Sequence, residues 1–247
     1  MAFFAGLLLA SCGSHCFTLM GVDRTRVLID RSWDVPNAEA QTFLAPYSHT
    51  VDSLMGPVVG KTAHYMAAHQ PESNLTNLMA DMLVWAADRY GEKPAFGLYN
   101  FGGIRAALSE GNVTIGDATA VAPFENKICF VTMKGSVVTE LFRQIAAQGG
   151  HPISAAVRMQ ITKDGKLVSA TIGGKEIDPE ADYRVATIDY VAQGNDHLTA
   201  FLKATDLKTP GAEQDNTRFL LMEYFGDAAS RGEAVSSKVE GRITIVE

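Results

Sequence analysis

Apolar positions along this chain fall into two alternating periods. Leu75, Leu78, Met79, Met82, Leu83 and Ala86 recur at three- and four-residue spacing, the stripe of a helix packed on one face. Ser73 stands where an N-cap belongs, and Gly91 stands where that helix stops. Phe43, Leu44, Tyr47, Val51, Leu54 and Met55 repeat the spacing upstream, with Pro46 as a kink. A third helix begins at Ser136, carries Leu141, Phe142 and Ile145, and ends at Gly149-Gly150. Between these helices lie strand-like runs at residues 58–65, 95–99, 127–133, 155–161, 167–172, 183–190 and 242–246. Asp164-Gly165 marks a hairpin turn between two of them. Arg26-Val27-Leu28-Ile29-Asp30 is a shorter candidate, either a strand or an adhesive arm. Hairpins mixed with helices predict an α+β fold, a single domain with a mixed β-sheet flanked by helices.

Composition narrows the function classes. The chain has 247 residues, 47% of them apolar, enough to bury one sizeable core. A net charge of −7, with no concentration of Lys or Arg beyond Arg24, Arg26 and Arg31, excludes the basic face that a nucleic acid requires. Residues 2–10 form an apolar run well short of the roughly 20 needed to span a bilayer. That run ends Leu9-Ala10-Ser11-Cys12-Gly13, which resembles the lipobox of bacterial lipoproteins and implies a lipid on Cys12. The alternatives are an ordinary signal peptide or a buried apolar start, and no Lys or Arg precedes the run. Cys16 then lies in a tether, and Cys129, within Ile128-Cys129-Phe130-Val131, reads as a buried packing residue.

Candidate chemistry concentrates in two segments. Asn100-Phe101-Gly102-Gly103-Ile104-Arg105 follows an apolar strand. Its adjacent glycines let backbone N–H groups approach a ligand, and Arg105 adds a planar cationic fork. Pro123-Phe124-Glu125-Asn126 offers a ring face for stacking, or else a core residue after a turn.

These segments resemble the C-terminal, substrate-binding domain of the 5′-nucleotidase / UDP-sugar hydrolase family, in which a strand ends Asn-Gly-Gly-Gly-Ile/Val-Arg and Pro-Phe-Gly/Glu-Asn follows. The helix Ser73-Asn74-Leu75-Thr76-Asn77-Leu78 matches the family's Asn-x-Gly-Asn-Leu with Thr76 in place of glycine. Tyr183-Arg184-Val185-Ala186-Thr187, Gly194-Asn195-Asp196 and Glu240-Gly241-Arg242-Ile243 complete the series. The resemblance implies that Asn100, Gly102, Gly103, Arg105, Phe124 and Asp196 meet a nucleotide. It puts Leu198 where the family's Gly-Gly-Asp-Gly-aromatic loop has its aromatic, opposite Phe124, with His197 in place of a glycine. A family arginine upstream of the Asn-x-Gly-Asn-Leu helix has no counterpart, because no Arg lies between Arg31 and Arg89.

Hydrolysis in that family belongs to a separate metallophosphatase domain, where two metal ions activate water. None of the six histidines here lies in such a motif, and His64 and His69 read as solvated or capping residues. The expected organisation is therefore a leader and tether at residues 1–19, an arm and linker-like helix at 20–56, and the binding domain at 57–247. The expected role is the nucleotide- or nucleoside-binding half of a split 5′-nucleotidase, with no metal of its own. The divalent metal would sit on a separate metallophosphatase partner chain, and the lipid would anchor the protein at the cell envelope. A non-catalytic binding or scaffold lipoprotein is the competing reading.

Overall fold

The structure is a computed structural model that describes residues 18–247, so Cys12, Cys16 and the apolar run lie outside the described residues. Residues 18–30 have no regular structure and lead into a 3-10 turn, Arg31–Trp33. The strand considered for residues 26–30 does not form, since among the described residues no neighbouring strand pairs with it. Helix α1 (Ala38–Met55) starts ahead of its apolar stripe, where the Asn37 side-chain oxygen accepts the Ala40 N–H at 2.9 Å, and it retains Pro46 in its interior. Chain contacts separate residues 1–45 from a compact unit, Pro46–Glu247, that holds every sheet.

Within that unit, β1 (Val58–Thr62) leads to α2 (Asn74–Ala87), whose N-terminus is closed by a reciprocal box. The Ser73 hydroxyl accepts the Thr76 N–H, and the Thr76 hydroxyl accepts the Ser73 N–H. Thr76 thus does specific work where the resembled family has glycine. The stripe read from sequence is the buried one, Leu75, Leu78, Met79, Met82 and Leu83 being at most 1% exposed. Strand β2 (Phe96–Gly97) packs beneath it so closely that a Cβ on Gly97 would stand 2.6 Å from the Ala80 carbonyl oxygen. After β2 come β3 (Gly111–Thr114), α3 (Ile115–Val121), β4 (Ile128–Lys134) and α4 (Gly135–Ala147). Strands β5 (Val157–Thr162) and β6 (Leu167–Ile172) form the expected hairpin through Gly165 at φ 80°. The remaining elements are β7 (Lys175–Glu176), β8 (Asp182–Ile188), α5 (Asp189–Ala192), β9 (Thr205–Lys208), α6 (Thr217–Ser230) and β10 (Ile243–Val246).

The fold is α+β, and its strands divide into three sheets. β1 and β3 make an antiparallel pair; β10-β5-β6-β7 and β2-β8-β4-β9 are four-stranded and mixed, each with one parallel pair. The sequence pattern shows no sign of α6. Leu220, Leu221, Phe225 and Ala228 are buried and Met222 and Tyr224 pack against the same core, so apolar residues surround the helix and blur its stripe. Strand β9, all four residues exposed, has no alternation to read.

A buried cation closes the unit. Arg242 is 2% exposed and donates both terminal nitrogens to Asp81 of α2, at 2.8 and 2.6 Å. It also bonds Glu240 at 2.9 Å and the Ile153 carbonyl at 2.9 Å. The Glu72 carboxylate accepts the backbone N–H groups of Glu240 and Arg242 and the Asn77 amide. Glu240-Gly241-Arg242 and Asn77 are therefore parts of a brace joining β10, α2 and the segment before β5.

Candidate functional site

In the sheet β2-β8-β4-β9, β2 and β8 run parallel and β4 runs against both. The segments following β2 and β8 and the segment preceding β4 consequently emerge at one sheet end, which is where a ligand crevice forms in such sheets. Asn100, Gly102, Phe124, Asn126, Tyr190 and Asp196 line a cavity of about 180 Å³ there. Three separate stretches of the chain, 100–102, 124–126 and 190–196, supply it.

Polar groups hold the cavity in shape. Asn100 is 4% exposed, and its amide donates to Asp196 Oδ2 at 2.7 Å. The Tyr190 hydroxyl donates to Asp196 Oδ1 at 3.0 Å, and this hydrogen bond, with some burial, pushes its pKa up. Each carboxylate oxygen of Asp196 thus holds one wall. Because a carboxylate only accepts, the Asn100 amide is oriented with Nδ2 toward it, and Asn100 Oδ1 is left as a buried acceptor without a partner among the described residues. A Cβ on Gly103 would stand 2.4 Å from that Oδ1 and 2.7 Å from the Tyr99 ring, so glycine is required for Asn100 to sit where it does. Burial pushes the Tyr99 hydroxyl behind it up to about 12.

Two aromatic rings face the cavity, Phe124 at 46% and Tyr190 at 37% exposed, so both keep faces free for stacking. Their backbones are tied together. Asp189 Oδ1 accepts the N–H groups of Tyr190 and Lys127, and the Asp189 N–H donates to the Lys127 carbonyl at 2.9 Å. The α6 N-terminus anchors the same stretch, Thr217 N–H bonding the Asn126 carbonyl and Arg218 bonding the Pro123 carbonyl.

Of the seven residues named from sequence, Asn100, Gly102, Phe124 and Asp196 line the cavity. Gly103 lies directly behind it. Arg105 is exposed at the rim, its guanidinium donating to the Gly102 carbonyl at 3.3 Å. Leu198 requires correction: it is fully buried in the core and contributes no wall. Asp196 and His197 take positive φ of 52° and 56°, a turn that drives the next residue inward, where an apolar side chain belongs. The second aromatic ring in the lining is Tyr190. The sequence reading placed Tyr190 at the end of a strand, whereas β8 stops at Ile188 and α5 swings Tyr190 to the cavity. Asn126, the last residue of the Pro123–Asn126 motif, also lines the cavity. Among the described residues no group of three or more His, Cys, Asp or Glu side chains could hold a metal ion, and no helix is long and apolar enough to cross a membrane. His64 bonds the Tyr65 carbonyl and the Ser236 hydroxyl, each at 3.1 Å. Burial raises the Cys129 thiol to about 12, the state of an inert packing residue.

An α+β domain carrying an aromatic-walled, polar-backed crevice at a sheet end belongs to the class of small-molecule-binding domains. Residues 58–203 match the family described as the 5′-nucleotidase, C-terminal domain, and the chain belongs to that family. Among curated proteins it is 28% identical over 228 residues to the trifunctional nucleotide phosphoesterase protein YfkN of Bacillus subtilis, covering 84% of this chain and 15% of that one. It is 26% identical over 164 residues to the protein UshA of Escherichia coli, covering 65% and 30%. The chain thus spans less than a third of the length of these relatives. The 5′-nucleotidase precursor of Thermus thermophilus shares the fold at a TM-score of 0.74 and 24% identity, over 85% of this chain and 43% of that chain.

Proposed function

We propose that this chain is the nucleotide- or nucleoside-gripping half of a split 5′-nucleotidase, hydrolysis being performed by a metallophosphatase on a separate chain. The observation that carries the reading is the pair of half-exposed rings, Phe124 and Tyr190, facing one cavity backed by Asn100 and Asp196. A base stacks between the rings, each face contributing roughly 1–3 kcal/mol. The Asp196 carboxylate and the unpartnered Asn100 Oδ1 accept hydrogen bonds from ligand hydroxyls, and Arg105 at the rim meets the phosphate side. Family membership supports the nucleotide class. In this scheme the divalent metal sits on the partner chain, where it activates the attacking water. A lipid on Cys12 would hold the pair at the cell envelope.

The test is calorimetric titration of the protein with adenosine, uridine, AMP and UDP-glucose, alongside Phe124→Ala and Tyr190→Ala. At least one ligand should bind, and each truncation should weaken it roughly ten- to hundredfold. Binding that ignores both truncations overturns the site. Hydrolysis of AMP by the chain alone with Mn²⁺ overturns the division of labour, and failure of a metallophosphatase partner to gain activity from it favours a non-catalytic binding lipoprotein.

A further inference from the structure

The cavity's two polar walls, joined by the Asn100–Asp196 hydrogen bond, are also tied together from behind by a segment that does not line it. Residues 148–152, between α4 and β5, bond both walls from behind. On one side, the Gln148 side-chain amide donates to the Asp196 carbonyl at 2.8 Å. On the other, the Pro152 carbonyl accepts the Tyr99 N–H at 3.0 Å, and His151 Nδ1 accepts the Phe101 N–H at 3.2 Å. The segment is itself pinned, since the Gln70 amide donates to the Gln148 and Gly150 carbonyls at 2.8 and 2.7 Å. Gly150 packs so tightly that a Cβ there would stand 2.6 Å from the Pro71 carbonyl oxygen.

We propose that residues 148–152 are a strut that sets the spacing between Asn100 and Asp196, and that His151 is its positioning residue. The proposal rests on the reading of the cavity as a nucleoside site. His151 is 4% exposed, and an amide N–H can only donate, so Nδ1 must be bare and the proton must sit on Nε2. Nε2 has no partner among the described residues. What His151 contributes is an acceptor for the Phe101 N–H, a backbone donor of the turn that carries Asn100. Burial favours the neutral ring, lowering its pKa to about 4 against the opposing pull of the Asp196 charge, so the acceptor persists at neutral pH. Asparagine carries its side-chain oxygen close to where Nδ1 lies and can replace that acceptor; leucine fills similar volume without one.

The experiment compares wild type, His151→Asn and His151→Leu by titration with adenosine and by Phe101 amide exchange in the ligand-free protein, after thermal melts have set a temperature at which all three are folded. His151→Leu should weaken adenosine about tenfold and speed Phe101 exchange, the cost of an orphaned buried N–H, while His151→Asn stays within about threefold of wild type. ¹⁵N shifts of His151 should report the Nε2–H tautomer. Equal binding and equal exchange in all three proteins overturn the strut, and so does equal loss in both variants, which would make His151 a matter of shape. If wild type binds no base-bearing ligand, the nucleoside reading fails, and Phe101 exchange alone then decides the strut.

Discussion

Gly103 is the residue on which the cavity's polar wall depends most directly. A methyl at that position meets Asn100 Oδ1 and the Tyr99 ring well inside contact distance, and Tyr99 is fully buried and cannot retreat. Gly103→Ala should therefore push the Asn100 amide off Asp196, costing about 1–3 kcal/mol of stability and roughly tenfold in ligand affinity. Chemical denaturation and calorimetry on the same preparation check the two effects. His151 yields a pH prediction. Its folded pKa, about 4, lies below the ordinary histidine value near 6.5, so the unfolded chain takes up the proton first. Stability from this residue is complete above that ordinary value and is lost as pH falls toward 4, by up to about 3 kcal/mol. Glu92, held low by its hydrogen bond to Arg184, adds its own loss only below the ordinary carboxylate range, so the two windows are distinct. Denaturation midpoints between neutrality and pH 4 should slope for wild type and flatten for His151→Asn.

At the scale of elements, α2 illustrates how local chemistry and burial agree. Its cap and its stripe are legible in order along the chain; the helix itself ends at Ala87, and the left-handed Gly91, φ 67°, closes the 3-10 turn Asp88–Tyr90 that follows it. Ser73→Ala removes the hydroxyl that accepts the Thr76 N–H and leaves the reciprocal bond from Thr76 intact, so a loss of about 1 kcal/mol is expected in urea melts. Helix α6 is the opposite case. Its N-terminus anchors the Phe124 stretch, yet apolar residues on all sides hide its period, and only the packing of its neighbours reveals which faces are inside. The boundary between β8 and α5 was similarly opaque. Tyr183 to Tyr190 is β-rich throughout, and what ends the strand is the Asp189 bond to Lys127, a partner far away in sequence.

For the whole molecule, the Arg242 brace carries the argument. Arg242→Leu strands Asp81 and Glu240, about a third of each side chain being exposed, and should cost about 3–5 kcal/mol in thermal or urea unfolding. Adding Asp81→Leu should recover part of that loss, because a paired replacement removes the uncompensated charge. The brace matters for function only by joining β10, α2 and the segment before β5, the frame behind the strut at residues 148–152.

Periodicity, capping residues and turn chemistry are local, and they were enough to give the α+β class, three of the larger helices (α1, α2 and α4), the hairpin at Gly165 and the motifs that mark the family. Membership of the cavity was not local. Asn100, Gly102, Phe124 and Asp196 could be named from their motifs, but the exchange of Leu198 for Tyr190 required the fold. Two successive positive φ angles send Leu198 into the core, and the short α5 turns Tyr190 outward to the crevice. Which side chain faces a ligand is decided by how strands from distant parts of the chain end side by side, and hydrophobic spacing carries no record of that.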